Sequence, residues 1–357
     1  MRSTFFAVLA GFLFFFSSCT EEARKQLESP PVAFGPMNQL VVVADSSLWT
    51  SAVGDTFDYY FAAAYPILPQ PEPIFDIRFF TPRQLMDVKE RRELRTYVFL
   101  ADLQQKDSPM TRLVEEDMGQ EKTAEAMREK GYKVTIGRDK WAEGQLLVYI
   151  AGSSPEALIE SIKKQYTAII QQIRNQDKPR VDAGVYLGGV NDTLREDVRL
   201  HMGFDLKVPH DYFKAMYNPA ERVMWLRRET ESVSTNILIK VIPYTDKAQL
   251  TKEGIKAIRN DLGKYVGSEV PNTYMVINDV DLPMLFNVAT YQNFYSAEAR
   301  GIWEMHNDFM GGPFLSLLVL NPNDNNLYFI DGFAYAPGED KREIMQQLEH
   351  VMRTARF

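Results

Sequence analysis

The chain of 357 residues contains one cysteine, Cys19, and four histidines. A single cysteine cannot close a disulfide within the chain, so its cores must hold by packing alone, which a chain of this length can do. Four dispersed histidines form no metal-binding tract, and no cofactor is expected. The formal net charge of −8 denies the chain the basic surplus that displaces counterions from phosphates, so no nucleic-acid partner is expected either. Long hydrophobic runs are missing as well. The only marked one, residues 4–16, has about 13 residues, against the roughly 18 to 20 that a membrane-spanning helix needs. Local catalytic signatures are also lacking: no G-x-S-x-G elbow, P-loop, G-x-G-x-x-G or H-E-x-x-H occurs. Sites assembled from distant residues leave no such trace, so these absences narrow the chemistry without deciding it.

What is present begins at the N-terminus. Arg2, the apolar run and Ser17-Ser18 are the three parts of a secretory signal. Small residues directly before Cys19 resemble the lipobox of bacterial lipoproteins, with Phe16 where leucine is usual. The resemblance implies cleavage before Cys19 and acylation of its thiol, which gives a membrane partner through lipid. Two or three acyl chains hold a protein far more firmly than one, since each buried methylene contributes about 0.8 kcal/mol. Thr20 after the cysteine lacks the familiar inner-membrane retention signal, and Glu21-Glu22 resembles acidic surface-export signals. The expected place is therefore the outer membrane, facing the periplasm or the cell surface.

Periodicity divides the remainder. Residues 1–18 read as signal and 19–37 as lipidated N-terminus and tether, the latter polar and then rich in proline. Residues 38–176 and 185–357 read as two α+β domains, each a mainly antiparallel sheet packed with helices, joined by the linker "NQDKPRVDAG" at 175–184. In the first, one helix over 46–64 places Trp49, Val53, Phe57 and Phe61 on one face, and "RTYVFLAD" and "QLLVYIAG" are strands. A charged helix over 110–130 breaks near Gly119, and another runs over 155–174. In the second, helices are expected over 192–202, 247–262 and 339–353, with a strand at "FDLKVP" and a hairpin turn at "NPNDN". Both halves end in a strand, a proline-containing turn and an amphipathic helix, which raises a duplicated unit as one reading.

The most suggestive stretch of the body is "WEMHNDFMGGPF", residues 303–314. On a strand Glu304, His306 and Asp308 share one face, a set able to hold a divalent metal or to pair a base with its orienter. The competing reading is an amphipathic strand with Trp303 and Met305 inward and the polar residues in solvent. Trp303, Glu304, His306 and Asp308 are thus the candidate ligand or partner surface, and no catalytic residue or metal is assigned. "NPNDNN" lacks the acid that opens a calcium loop, and His201, His210 and His350 read as structural.

"LPQPEPIFDI", "WAEGQLLVYIAG", "ARGIWEMHNDFMGGPFLS" and "DGFAYAPGEDKREIMQQLE" resemble a lipoprotein family of Bacteroidota known as domain of unknown function 4837. The resemblance implies identity and compartment and carries no catalytic residue. "FDLKVPHDYF" with the closing strand and helix resembles the fold of photosystem oxygen-evolving subunit P and its Mog1 relatives, which are mostly accessory modules. The expectation is a lipid-anchored outer-membrane protein that binds or assembles with an envelope partner. The alternative is an envelope hydrolase or metal-dependent enzyme using Glu304, His306 and Asp308.

Overall fold

A computed structural model of the chain describes residues 30–128 and 134–357. Cys19 and the signal lie outside the described residues. Contacts divide the chain into two units: one holds the residues up to Phe57 and Ile77–Ile169, the other Asp58–Asp76 and Ile170–Phe357.

The first unit is built from β1 (Gln39–Val43), α1 (Ser46–Trp49), the start of α2 (Ala52–Phe61), β2 (Asp76–Phe80), α3 (Pro82–Asp87) and α4 (Lys89–Arg92). It continues through β3 (Thr96–Asp102), α5 (Pro109–Arg128), β4 (Val134–Arg138), β5 (Leu146–Gly152) and most of α6 (Pro155–Val185). The sheet order is β2-β1-β3-β5-β4. β1, β3 and β5 run parallel, and β4 lies antiparallel to β5. The expectation of an antiparallel sheet in each half therefore differs from the centre of this one. The reason is visible in β3 and β5, which are buried at every position. Such runs suit parallel strands covered on both faces and joined by helical crossovers.

Local chemistry explains the breaks. The helix expected over 46–64 is interrupted at Ser51, whose hydroxyl donates to the Leu48 carbonyl and accepts from the Val53 amide. Trp49 still stacks on Phe79, with ring centroids 5.1 Å apart, while Val53 and Phe57 are fully buried. In α5 the backbone leaves helical geometry at Gly119, at φ 78°, as the sequence predicts. Part of the expected tether is not free. Ala33 N donates to Glu143 O at 2.8 Å and Phe34 N to Glu93 O at 3.0 Å, so the chain is fastened from Pro31 onward. The expected linker at 175–184 is likewise helical, since α6 continues through Pro179 to Val185. Proline removes one helical donor, but contacts farther along hold the turn: Asp182 meets His350 at 2.9 Å.

The second unit contains α7 (Asp192–Met202), β6 (Phe213–Asn218), β7 (Val223–Glu229), β8 (Ser234–Pro243), a 3₁₀ turn (Lys247–Leu250), α8 (Lys252–Gly263) and β9 (Tyr274–Asn278). β10 (Leu285–Tyr291), β11 (Phe294–His306), β12 (Gly311–Asn321), β13 (Asn326–Tyr335) and α9 (Arg342–Met352) complete it. Its sheet is antiparallel throughout, in the order β10-β11-β12-β13-β8-β7-β6, with β9 also paired to β11. α7 and α9 bury Val198, Met202, Leu348 and Val351 against one face, where Leu226, Ile237 and Ile330 project. α8 buries Ile255 and Leu262 on the other, against Leu238, Phe314 and Phe329. Each such side chain contributes about 1.5–3 kcal/mol by leaving water.

Residues of the first half complete this second core. Tyr65 and Leu68 pack among its apolar side chains, and Glu72 accepts from the amides of Lys341 and Arg342 at 2.6 and 3.0 Å, capping α9. The "LPQPEP" segment is therefore a docked connector. "FDLKVP" is extended and alternately buried, but it forms only single bridges, Asp205 to Arg356 and Pro209 to Val190, and not the expected strand. The strand lies next to it, in β6. The two sheets differ in strand number, order and direction, which removes the duplicated-unit reading.

Candidate functional site

Strand β11 carries the residues singled out in the sequence. Trp303 is 2% exposed and points inward, its indole N–H donating to Ala334 O at 3.2 Å. Gly312 lies opposite Trp303 on β12, and a Cβ there would run into that same Ala334 carbonyl, so glycine is required by close approach. Glu304 and His306 face solvent. Glu304 Oε2 accepts from Asn278 Nδ2 at 2.8 Å, and the His306 ring stacks on Tyr274 at 4.6 Å. Asp308 lies beyond the strand, in the turn to β12, where its carboxylate accepts from the Phe309 amide at 2.8 Å. The alternation thus brings two of the three polar groups to one strand face and sends the third elsewhere. Among the described residues no group of three or more His, Cys, Asp or Glu side chains is arranged to hold a metal ion. Glu304, His306 and Asp308 therefore do not form the metal-holding set that their spacing offered. The sequence reading missed Phe309, whose ring stands fully in solvent at the tip of this turn.

A better-formed concavity lies elsewhere in the second unit, a cavity of about 240 Å³. Its wall is the C-terminal end of α6 and the turn through Leu187 and Gly188. Its rim is the turn of His210 and Asp211, and its floor combines Tyr212, Arg228 on β7, Thr235 on β8 and Leu348 on α9. The turn at His210 follows from Pro209 and is held by His210 N donating to Gly189 O at 3.0 Å. The Tyr212 and Thr235 hydroxyls are hydrogen-bonded at 3.0 Å, and burial pushes the tyrosine up to about 12, so the phenol stays neutral. Arg228 Nε pairs with Asp211 Oδ2 at 2.5 Å beside the opening. Among the described residues no hydrogen bond joins the His210 ring to either hydroxyl. The constellation offers donors, acceptors and an apolar wall, which is the chemistry of holding a ligand.

The first unit has a shallower polar hollow at the carboxyl ends of β1 and β3, where open parallel sheets place their ligands. Asp45 accepts there from the Ser108 hydroxyl, which in turn accepts from Met110 N at 2.9 Å and caps α5. Nothing in the linear pattern pointed to it, because the parallel pairing was not foreseen.

These features define a two-domain α+β protein. Residues 191–354 match the family model described as a domain of unknown function, DUF4837. Residues 33–185 match another, DUF8532. The resemblance read over the whole body therefore divides. "ARGIWEMHNDFMGGPFLS" and "DGFAYAPGEDKREIMQQLE" fall within the first match, while "LPQPEPIFDI" and "WAEGQLLVYIAG" fall within the second. Comparison with curated proteins finds no match. Among the described residues no helix is long and apolar enough to cross a membrane.

Proposed function

We propose that this chain is a lipoprotein of a Bacteroidota outer membrane, anchored through acylated Cys19, which acts by binding an envelope partner or ligand. The observation that carries the binding half of this reading is the cavity floored by Tyr212, Arg228 and Thr235. It sets a paired guanidinium and two hydroxyls against an apolar wall, and among the described residues no nucleophile there is hydrogen-bonded to a base. The likeness to the accessory modules of the subunit P and Mog1 fold belongs with the same reading.

The test is a photo-crosslinking residue placed at Leu187, which lines the cavity and is largely exposed. Irradiation of intact cells should give a discrete adduct, read by intact-mass spectrometry and lost in Arg228→Gln. Recovery of unmodified monomer alone, or an equal yield from a control position at exposed Tyr59, would overturn the reading.

A further inference from the structure

We propose that two copies of this chain pair through β10, antiparallel about a two-fold axis at Val288. β10 ends its sheet, with β11 on one side and, among the described residues, nothing bonded along the other. In an antiparallel ladder alternate residues turn their N–H and C=O groups outward, so this edge presents a row of unpaired donors and acceptors.

The other sheet edges among the described residues are guarded. β2 carries Asp76 and Arg78, β4 carries Arg138, and β6 has Lys214 beside a bulge. The outward amides of β9 are satisfied, Met275 N by Val266 O at 3.1 Å and Ile277 N by Asn260 Oδ1 at 3.0 Å. β10 reads "LFNVATY", with no charge, no proline and no bulge, and exposes Leu285 and Val288 on its two faces. A tight turn through Gln292 and Asn293, both with positive φ, fixes its register on β11.

A second copy fits this edge because the strand meets itself without opposing like charges. About the axis Val288 faces its own counterpart, Asn287 faces Ala289, Phe286 faces Thr290 and Leu285 faces Tyr291. The charges that β11 places opposite this strand, Glu298 beside Asn287 and Arg300 beside Leu285, are already paired with Arg353 and Glu349. Closure about a two-fold axis uses one patch twice and leaves no open end. The contact of one seven-residue strand falls below the ~1,200 Å² of stable interfaces, so the pairing is reversible. It does not depend on the anchor, although anchoring on one membrane would concentrate the copies.

Disulfide trapping tests it. Facing residues of antiparallel strands have Cα atoms about 4.5–5.5 Å apart, within reach of a disulfide. Full-length Val288→Cys chain, mildly oxidised in native membranes, should migrate at twice the monomer mass on a non-reducing gel and revert on reduction. The exposed control Val280→Cys should stay monomeric. A monomeric Val288→Cys, an adduct with a different protein, or equal trapping of both variants would overturn the pairing. A disulfide dimer of the unaltered chain would instead report a free Cys19 thiol and count against acylation, so the two proposals fail separately.

Discussion

Arg259 and Asp331 show what single residues settle in this molecule. Both are fully buried; Arg259 Nε donates to Asp331 Oδ1 at 3.0 Å, Ser316 donates to the same oxygen at 2.5 Å, and the guanidinium lies 3.7 Å from the centroid of the Phe314 ring. Burial pushes Asp331 up and Arg259 down, each opposed by the charge of the other. Removing one partner strands the other charge in an apolar core. Asp331→Ala should therefore lower the unfolding free energy by about 3–5 kcal/mol, measured by urea titration, whereas replacing both by apolar residues of similar volume should cost much less. A loss below about 1 kcal/mol in the single variant would contradict this. None of it was legible in the chain, because the partners lie 72 positions apart and each reads locally as a surface charge. Trp303, named with the candidate surface, is instead buried beside Met305, as the competing amphipathic-strand reading has it, since strand alternation is a local property. Asp308 was misplaced because alternation was extended past the end of the strand.

At the scale of elements, local signals served well where caps and turns were self-contained. α7 begins at Asn191, whose side chain accepts from Leu194 N, and ends at Gly203 in the left-handed region, which gives the helix over 192–202 that its sequence predicts. The "NPNDN" hairpin joins β12 to β13 in the same way. Where an element is completed by distant residues, the sequence is silent. The N-terminus of α9 has no side-chain cap of its own and takes the carboxylate of Glu72. Arg342 adds bonds from its guanidinium to Pro73 O at 2.6 Å and to Asp76 at 2.7 Å. Glu72→Ala should destabilise the second unit by about 1–2 kcal/mol and speed amide exchange in the first turn of α9. Glu72→Gln, which retains one acceptor, should cost less. Unchanged exchange in Glu72→Ala would remove the cap from the account.

For the whole molecule, two α+β domains were legible in the alternation of strand and helix, whereas the part that residues 58–76 play in the second unit was not. Residues 58–76 serve the core of the second unit, and the apparent linker at 175–184 is the end of a helix. The parallel centre of the first sheet escaped notice because a fully apolar strand shows no period to read. The cavity of the second unit escaped for a different reason, as Leu187, His210, Arg228 and Leu348 converge only in the fold. The proposed compartment rests on Cys19. Metabolic labelling with palmitate tests it most directly: the full-length chain should take up label and fractionate with the outer membrane, and Cys19→Ala should do neither. Equal labelling of the two chains, or none in either, would contradict the anchored lipoprotein on which the account is built.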